Sequence, residues 1–568
     1  MAGQFVKNGA TLKCPLCSSS GTLIVSHTQV QLQDTPCATN GDRTKSNLVF
    51  GGVCKKWRKS PPPCASVIAP TQWKGIATDV EIDGEFMLIE DSTITCSTGG
   101  VDIGIDDTAQ MDVPTDLPDT ENAVLKKFLV NIRRPDDYKG EYGFDWLREE
   151  YIHPIETIVY DNGRNSFSGP LNQQLPICKN VEDLKNEYKT KDVVNPITPY
   201  GEEYYPAWLS IFPNVSYNGV NEVKLNIEIE EIEPLENDAT QIIFESANDS
   251  LTVTPSQISL SELLGEKQTR DLGTTTKIFY VAEKVITIKC EGNPLENHEE
   301  IKIYAELDGE KEEVGKLMIY QNDAIALMEI VIVDVSIGTP QNKSTSFIKP
   351  LLEHSFSQAM IQPVVMSLTN FDITSLPDDN QEVLDFKNTY LQNSGIIQGG
   401  LEVIVGFEDA FLSLFNRYGN TGLTHRINSN LSKKTYIFLT PFQLKHPDTG
   451  EDLRGMAYIG DFNNPANPGW GNSVLMTPFG LLDDSNVIHE LGHSLSLPHT
   501  FEEYFARPFT FYQGFTDNHM DYFNQYHPDP NTIGGANPNK ENMHSFFKWQ
   551  WDIMREDKSL VYNNTDIE

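Results

Sequence analysis

Residues 486–500 read NVIHELGHSLSLPHT and hold three of the chain's twelve histidines. His489 and His493 are four positions apart, so on a helix they leave one face a turn apart, and both imidazoles can reach one ion about 2 Å away. Glu490 falls beside this pair rather than between its members, free of ligand duty and able to meet a water molecule as a general base. Asp484, Ser485 and Asn486 precede the stretch as N-cap candidates, so a helix is expected to start there. Pro498 forbids its simple continuation. A chain that doubles back after this break brings His499 to the same ion. Three neutral imidazoles leave a fourth position open to water, which separates a catalytic zinc site from a structural one.

Working outward, 325–568 reads as an α/β domain built to hold that stretch. LMEIVIVDVSI (327–337) is a nearly continuous apolar run of the kind a buried strand needs. SFIKPLLEHSFSQAM (346–360) has helical spacing, and PVVMSL and TYIFLTPF supply further strands. ENMHSFFKWQWDIMRED (541–557) repeats Met543, Phe546, Phe547 and Trp551 at helical spacing and is expected to close the domain as a packed helix. RGMAYIG (454–460) reads as a short strand.

The rest of the chain has a different grain. Residues 201–322 alternate apolar and polar, as in EVKLNIEIEEI, and turn residues break them at intervals; an immunoglobulin-like sandwich serving as spacer is expected. Residues 113–200 open as a polar, Pro-containing linker and continue into mixed sequence to which no chemistry is assigned. Residues 1–112 read as short strands between turns, a small all-β domain. The fold class expected is therefore multidomain, β-rich, with an α/β domain last. Six of the eight cysteines fall in the first hundred residues, so they belong to one domain.

His489, Glu490, His493 and His499 together resemble the metzincin clan of zinc endopeptidases, whose motif reads HExxHxxGxxH. The resemblance implies Zn2+ on the three histidines, with Glu490 passing a proton from water to the departing amine. It also implies that Gly455, Met456 and Ala457 of RGMAYIG form the sheet edge to which an extended peptide substrate adds, an ordinary strand being the alternative. TDNHMDYFN (516–524) resembles the clan's Met-turn, with Met520 beneath the metal. Tyr522 matches the tyrosine that some members place near the metal, where it would hydrogen-bond the developing oxyanion. Ser496 stands where the clan has glycine, and a non-glycine residue at positive φ costs about 1–2 kcal/mol.

At the other end, Gly9, Ala10, Leu12 and Cys14, then Asn47, Phe50, Gly51 and Cys54, then Pro63, Cys64 and Trp73, and finally Cys96, Gly99, Gly100, Ile103 and Ile105 resemble the PAAR-like family of spike-tip proteins. That family caps contractile injection systems such as type VI secretion. The resemblance implies a compact β cone seated on a trimeric spike protein. It also makes Cys14, Cys54, Cys64 and Cys96 candidate ligands of a second, structural zinc, with buried packing thiols or two disulfides as the alternatives.

The formal charge of −38, from 43 Lys+Arg against 81 Asp+Glu, argues against nucleic-acid and anionic-membrane partners. No apolar run reaches the roughly 18 residues of a membrane span, and the first residues lack the apolar core of a secretory signal. A chain made in the bacterial cytoplasm, loaded on an injection apparatus and delivered to cut target-cell proteins is expected. The alternative is a structural tip whose last domain binds zinc or a partner without catalysis.

Overall fold

A computed structural model describes residues 4–27, 30–32, 35–82, 84–110, 124–161, 170–214, 219–339, 343–392, 395–419, 433–446, 450–457, 472–502, 509–529 and 531–562. The chain divides into two units, 1–121 and 122–568. The linker expected from 113 onward lies, as far as residue 123, outside the described residues.

The first unit is built on six short antiparallel strands, ordered Leu48–Phe50, Gly21–Leu23, Thr11–Lys13, Val101–Asp107, Thr93–Cys96 and Pro70–Lys74. Alternation sends Leu12, Leu23, Leu48, Phe50, Ile94 and Ile103 to one small core. Pro70 opens the outermost strand, a position that tolerates its missing N–H.

In the second unit an eleven-stranded sheet comes first in the chain. Its strand Glu222–Glu231 buries Val223, Leu225, Ile227 and Ile229, each contributing about 1.5–3 kcal/mol of transfer free energy. Phe128–Arg133 pairs antiparallel with that strand along its whole length and bridges in parallel to Glu310–Ile319 at Val130 and Gly315. The single bridge from Val130 to Gly315 joins two groups of strands into one hydrogen-bonded network, and Ile227 and Ile229 of one group share a core with Ile303 and Leu317 of the other. The expected domain bounds are corrected, because Phe128–Arg133 lies before them. The boundary expected at 200 also falls inside the sheet, since 128–133 and 207–210 are strands of it.

The other sheet holds the motif. We label its strands β1 (Ala326–Ser336), β2 (Ile361–Asp372), β3 (Lys434–Leu439), β4 (Gly455–Ala457), β5 (Ser473–Met476) and β6 (Val561–Tyr562), and the helices α1 (Leu401–Tyr418), α2 (Ser485–Ser494) and α3 (Lys548–Arg555). The order is β2-β1-β3-β5-β4, with β6 also pairing β1. The first four run parallel, and β4 is the antiparallel outermost strand. Both faces are covered, which is why β1 reads as a continuous apolar run. Met328, Ile330 and Ile332 point to the core that includes Val487, Ile488 and Leu491 of α2; Val331, Val333 and Val335 point to the core that includes Phe407 and Phe411 of α1.

The α2-side core also takes in Tyr151, Trp208 and Tyr320. The boundary expected between 322 and 325 therefore separates no independent core. The closing helix is shorter than its spacing suggested: α3 begins at Lys548, because the Phe546 and Phe547 amides donate to the Gln358 and Gln550 side chains instead of to a preceding turn.

Candidate metal centre and cleft

α2 starts at Ser485 after the acidic pair 483–484. Asp484, one of the three expected caps, is the N-cap residue but makes no side-chain cap bond; the Oδ1 of Asp483 accepts instead, from the Ser485 amide at 3.0 Å and from its hydroxyl at 2.7 Å. The far end closes as a Schellman turn. Leu497 N–H donates to Gly492 O (3.0 Å) and Ser496 N–H to His493 O (2.8 Å). Ser496 occupies the left-handed position at φ 72°. Its hydroxyl donates to Asp557 Oδ2 at 2.7 Å, a contact that glycine would lack and that offsets the backbone strain.

This turn aims His499 back at α2. The His499 Nε2 atom lies 3.2 Å from Nε2 of His489 and 3.2 Å from Nε2 of His493. Each Nδ1 faces an oxygen: His489 the His519 carbonyl at 2.7 Å, His493 the Leu497 carbonyl at 2.6 Å, His499 the Glu502 carboxylate at 3.0 Å. In His489 and His493 an Nδ1–H donated to that carbonyl leaves Nε2 as the lone-pair atom, the tautomer that a metal needs. Four ligands about 2.1 Å from a tetrahedral ion stand about 3.4 Å from one another, so these spacings fit zinc. Among the described residues the trio is the one set of three or more His, Cys, Asp or Glu whose ligand atoms lie within 4.8 Å of each other.

The four candidate cysteines of the first unit therefore do not converge as a ligand set. Their thiols are free. Cys64 has Cys17, outside the expected four, as its hydrogen-bonding neighbour, and burial together with Cys17, Cys14 and Cys54 pushes its thiol up to about 12.

Glu490 is buried on the cleft side of α2. Burial, with a smaller push from the Glu408 charge, raises its carboxyl to about 8, whereas a dication beside it acts in the opposite direction. Burial likewise depresses His489 to about 4 and holds His493 well below the ordinary imidazole range, keeping both neutral. Gly455 of β4 backs Glu490 so closely that a methyl group there would stand 2.7 Å from its Cγ.

Met520 is fully buried against α2, and a methyl on Gly492 would meet its Sδ at 2.4 Å. The Tyr522 ring centroid lies 4.8 Å from His499 and 6.1 Å from His489, with the residue 41% exposed to the cleft. The cleft has a volume of about 950 Å³, and β4, the trio, Glu490 and Tyr522 line it.

The turn carrying Met520 is held by residues to which the sequence assigned no role. Asp517 accepts from Arg148 (2.7 Å), Arg134 (2.9 Å) and the Tyr151 hydroxyl (2.9 Å). Separations of 366 to 383 residues leave no local pattern for such partners. Asp557, 61 positions from Ser496, was missed for the same reason, whereas Glu502, a local partner three positions from His499, was not singled out in the sequence.

Burial favours the neutral Asp517, but Arg148 and Arg134 outweigh it and hold the carboxyl down at about 2. Against an unfolded value of about 3.9, the stabilisation is complete above pH 4 and disappears as the pH falls through 2. Asp517→Asn is expected to lose about 3–5 kcal/mol at neutral pH by stranding two guanidinium groups. Denaturant titrations from pH 7 to pH 2 should show the gap from wild type narrowing only below pH 4.

Residues 6–110 match the model of a family described as Domain of unknown function (DUF4280). No curated protein matches the chain. A solved structure titled "Structure of a chaperone-substrate complex" aligns with 48% of this chain at 12% identity and a TM-score of 0.19, a likeness too slight to carry an argument, and the match spans 37% of that structure's chain.

Proposed function

We propose that the chain is a zinc-dependent endopeptidase carried behind the spike tip of a bacterial contractile injection system, where it hydrolyses peptide bonds in target-cell proteins. The observation that carries the hydrolytic half is the convergence of three imidazole Nε2 atoms at 3.2 Å, with each Nδ1 turned to an oxygen. Glu490 stands on the same helix and in the same cleft. The parallel sheet with one antiparallel outer strand beside the helix also suits the metzincin-like reading.

A zinc ion, when bound, supplies Lewis acidity that lowers the pKa of water and polarises a carbonyl. His489, His493 and His499 would hold it. Glu490 takes the proton from the attacking water and returns it to the leaving amine. β4 offers its free edge to the backbone of an extended peptide. Tyr522, 41% exposed and with its ring 4.8 Å from that of His499, would donate its hydroxyl to the developing oxyanion. Met520 supports the floor through packing alone.

For the tip half, the support is that the family match at 6–110 covers the same segment as the PAAR-like resemblance. A trimeric spike protein is the partner proposed for it. None of the described helices is long and apolar enough to cross a membrane.

Casein digestion by the zinc-loaded full chain tests the enzymatic claim. Wild type is expected to cleave. Gly455→Ala is expected to keep its zinc yet lose cleavage by about 100-fold, because the added methyl displaces the base by a fraction of an ångström. A wild type that binds zinc and leaves casein and a random peptide library intact would sink the claim.

A further inference from the structure

Arg454 precedes β4 and is the one Lys or Arg among the described residues that line the cleft. The guanidinium lies in the cleft on the α2 side, near enough to His489 for its charge to disfavour protonation of that imidazole. Two backbone-level contacts fix its root: the Arg454 carbonyl accepts from Thr477 N–H at 3.1 Å and from the Thr477 hydroxyl at 2.9 Å. Its head is fixed as well. Nη1 donates to Asn486 Oδ1 at 2.9 Å, one turn before His489 on α2, and Asn486 is itself locked by its Nδ2 bond to Gly480 O at 2.9 Å. The guanidinium carbon stands 5.0 Å from the Phe523 ring centroid and 5.7 Å from that of Phe479.

A guanidinium so placed carries five N–H donors, and among the described residues one acceptor, Asn486 Oδ1, takes one of them. Among the described residues no carboxylate pairs with it, in a chain with almost twice as many acidic as basic side chains. The other fixed acids of the cleft are already engaged. Asp452 takes Lys445 at 2.7 Å. Asp521 accepts the amides of Gly514, Phe515 and Thr516 at 2.8–3.1 Å. Glu451 is exposed at the mouth, where solvent screens it. The negative charge of the whole chain fades over about 8 Å at physiological salt, so the local fork decides what binds here. Aromatic faces that hold the plane of a guanidinium, without neutralising it, leave its donors set for a two-point contact with a planar anion.

We propose that Arg454 is a specificity-determining residue that reads a carboxylate on the peptide beside the bond to be cut, directing the enzyme to acidic segments of its protein substrates. This rests on the hydrolytic reading above. The carboxylate can belong to an Asp or Glu side chain within the substrate or to a peptide C-terminus, because the chemistry presented to the fork is the same.

The experiment uses the zinc-loaded full chain and fluorescein-labelled, end-capped octapeptides of alanine that carry Asp at each position in turn. The matching Asn series and an all-alanine peptide with a free C-terminal carboxylate are the controls. Binding is read by fluorescence anisotropy and cleavage by mass spectrometry. Asp at one position is expected to bind about 10- to 100-fold tighter than Asn, with cleavage next to it. Arg454→Gln is expected to abolish that preference while retaining zinc, and Arg454→Lys to restore only part of it. Tight Arg454-dependent binding of the free-carboxylate peptide instead would identify the chain end as the source.

Equal binding of the Asp and Asn series, or a preference that survives Arg454→Gln, would overturn the proposal even if the peptides are cut. An Arg454-dependent preference without any cleavage would uphold the carboxylate site and remove the hydrolytic reading.

Discussion

His499→Ala is expected to abolish stoichiometric zinc binding. The residue supplies one of three convergent nitrogens, and its Nε2 is the atom that stands 3.2 Å from both others. Without it the ion keeps two ligands from a single helix turn, the grip of a weak surface site. Loss of a partner that merely orients a ligand costs about 10–100-fold in affinity; loss of the ligand itself should exceed that. Competition with a chromophoric chelator measures it directly. Because His499 stacks on Phe501 and closes the loop beyond Pro498, the variant's thermal denaturation should be compared with that of metal-free wild type. A variant that holds zinc with wild-type affinity would show that His499 is not a ligand.

Glu490→Gln should separate metal binding from chemistry. The amide is nearly isosteric, does not remove any of the three imidazoles, and cannot take a proton from water. kcat/KM for a peptide substrate is expected to fall by about 10²–10⁴-fold, the usual contribution of a positioned acid–base group, with zinc content unchanged. Activity retained within a few-fold would mean that another group accepts the proton. Loss of zinc together with activity would mean that Glu490 holds the site together instead of working in it.

The parts of this site that could be read from the sequence are those made by neighbours. His489, Glu490 and His493 lie within five positions, and helical spacing alone puts them on one side of α2. Ser496 and Pro498 mark a forced reversal between His493 and His499, and the left-handed Ser496 carries it out. The apolar run of β1 revealed a strand covered on both faces for the same local reason.

What could not be read is whatever depends on distant pairs. Asp517, three residues before Met520, looks like a surface acid until Arg134, Arg148 and Tyr151 arrive from more than 360 residues upstream. Those residues sit in the mixed sequence after the linker, to which no chemistry was assigned. The 201–322 strands alternate as a sandwich's would, yet they take in Phe128–Arg133 from outside that range, and a single strand's pattern does not name its partner. Periodicity also overextended the last helix, since Phe546 and Phe547 are buried at helical spacing while their amides bond elsewhere. Clustering along the sequence put the cysteines of the first unit in one domain, and Cys17, Cys64 and Cys96 share its small core, but spacing alone did not single out Cys17 as the neighbour of Cys64.

X-ray absorption at the zinc edge on the full-length protein decides the matter most directly. One zinc per chain, with a shell of nitrogen and oxygen at about 2.0–2.1 Å, imidazole scattering from three histidines and no sulfur, is the expected spectrum. Zinc absent after loading, or bound through sulfur at about 2.3 Å, would place the metal away from residues 489–499 and contradict the assignment of this site.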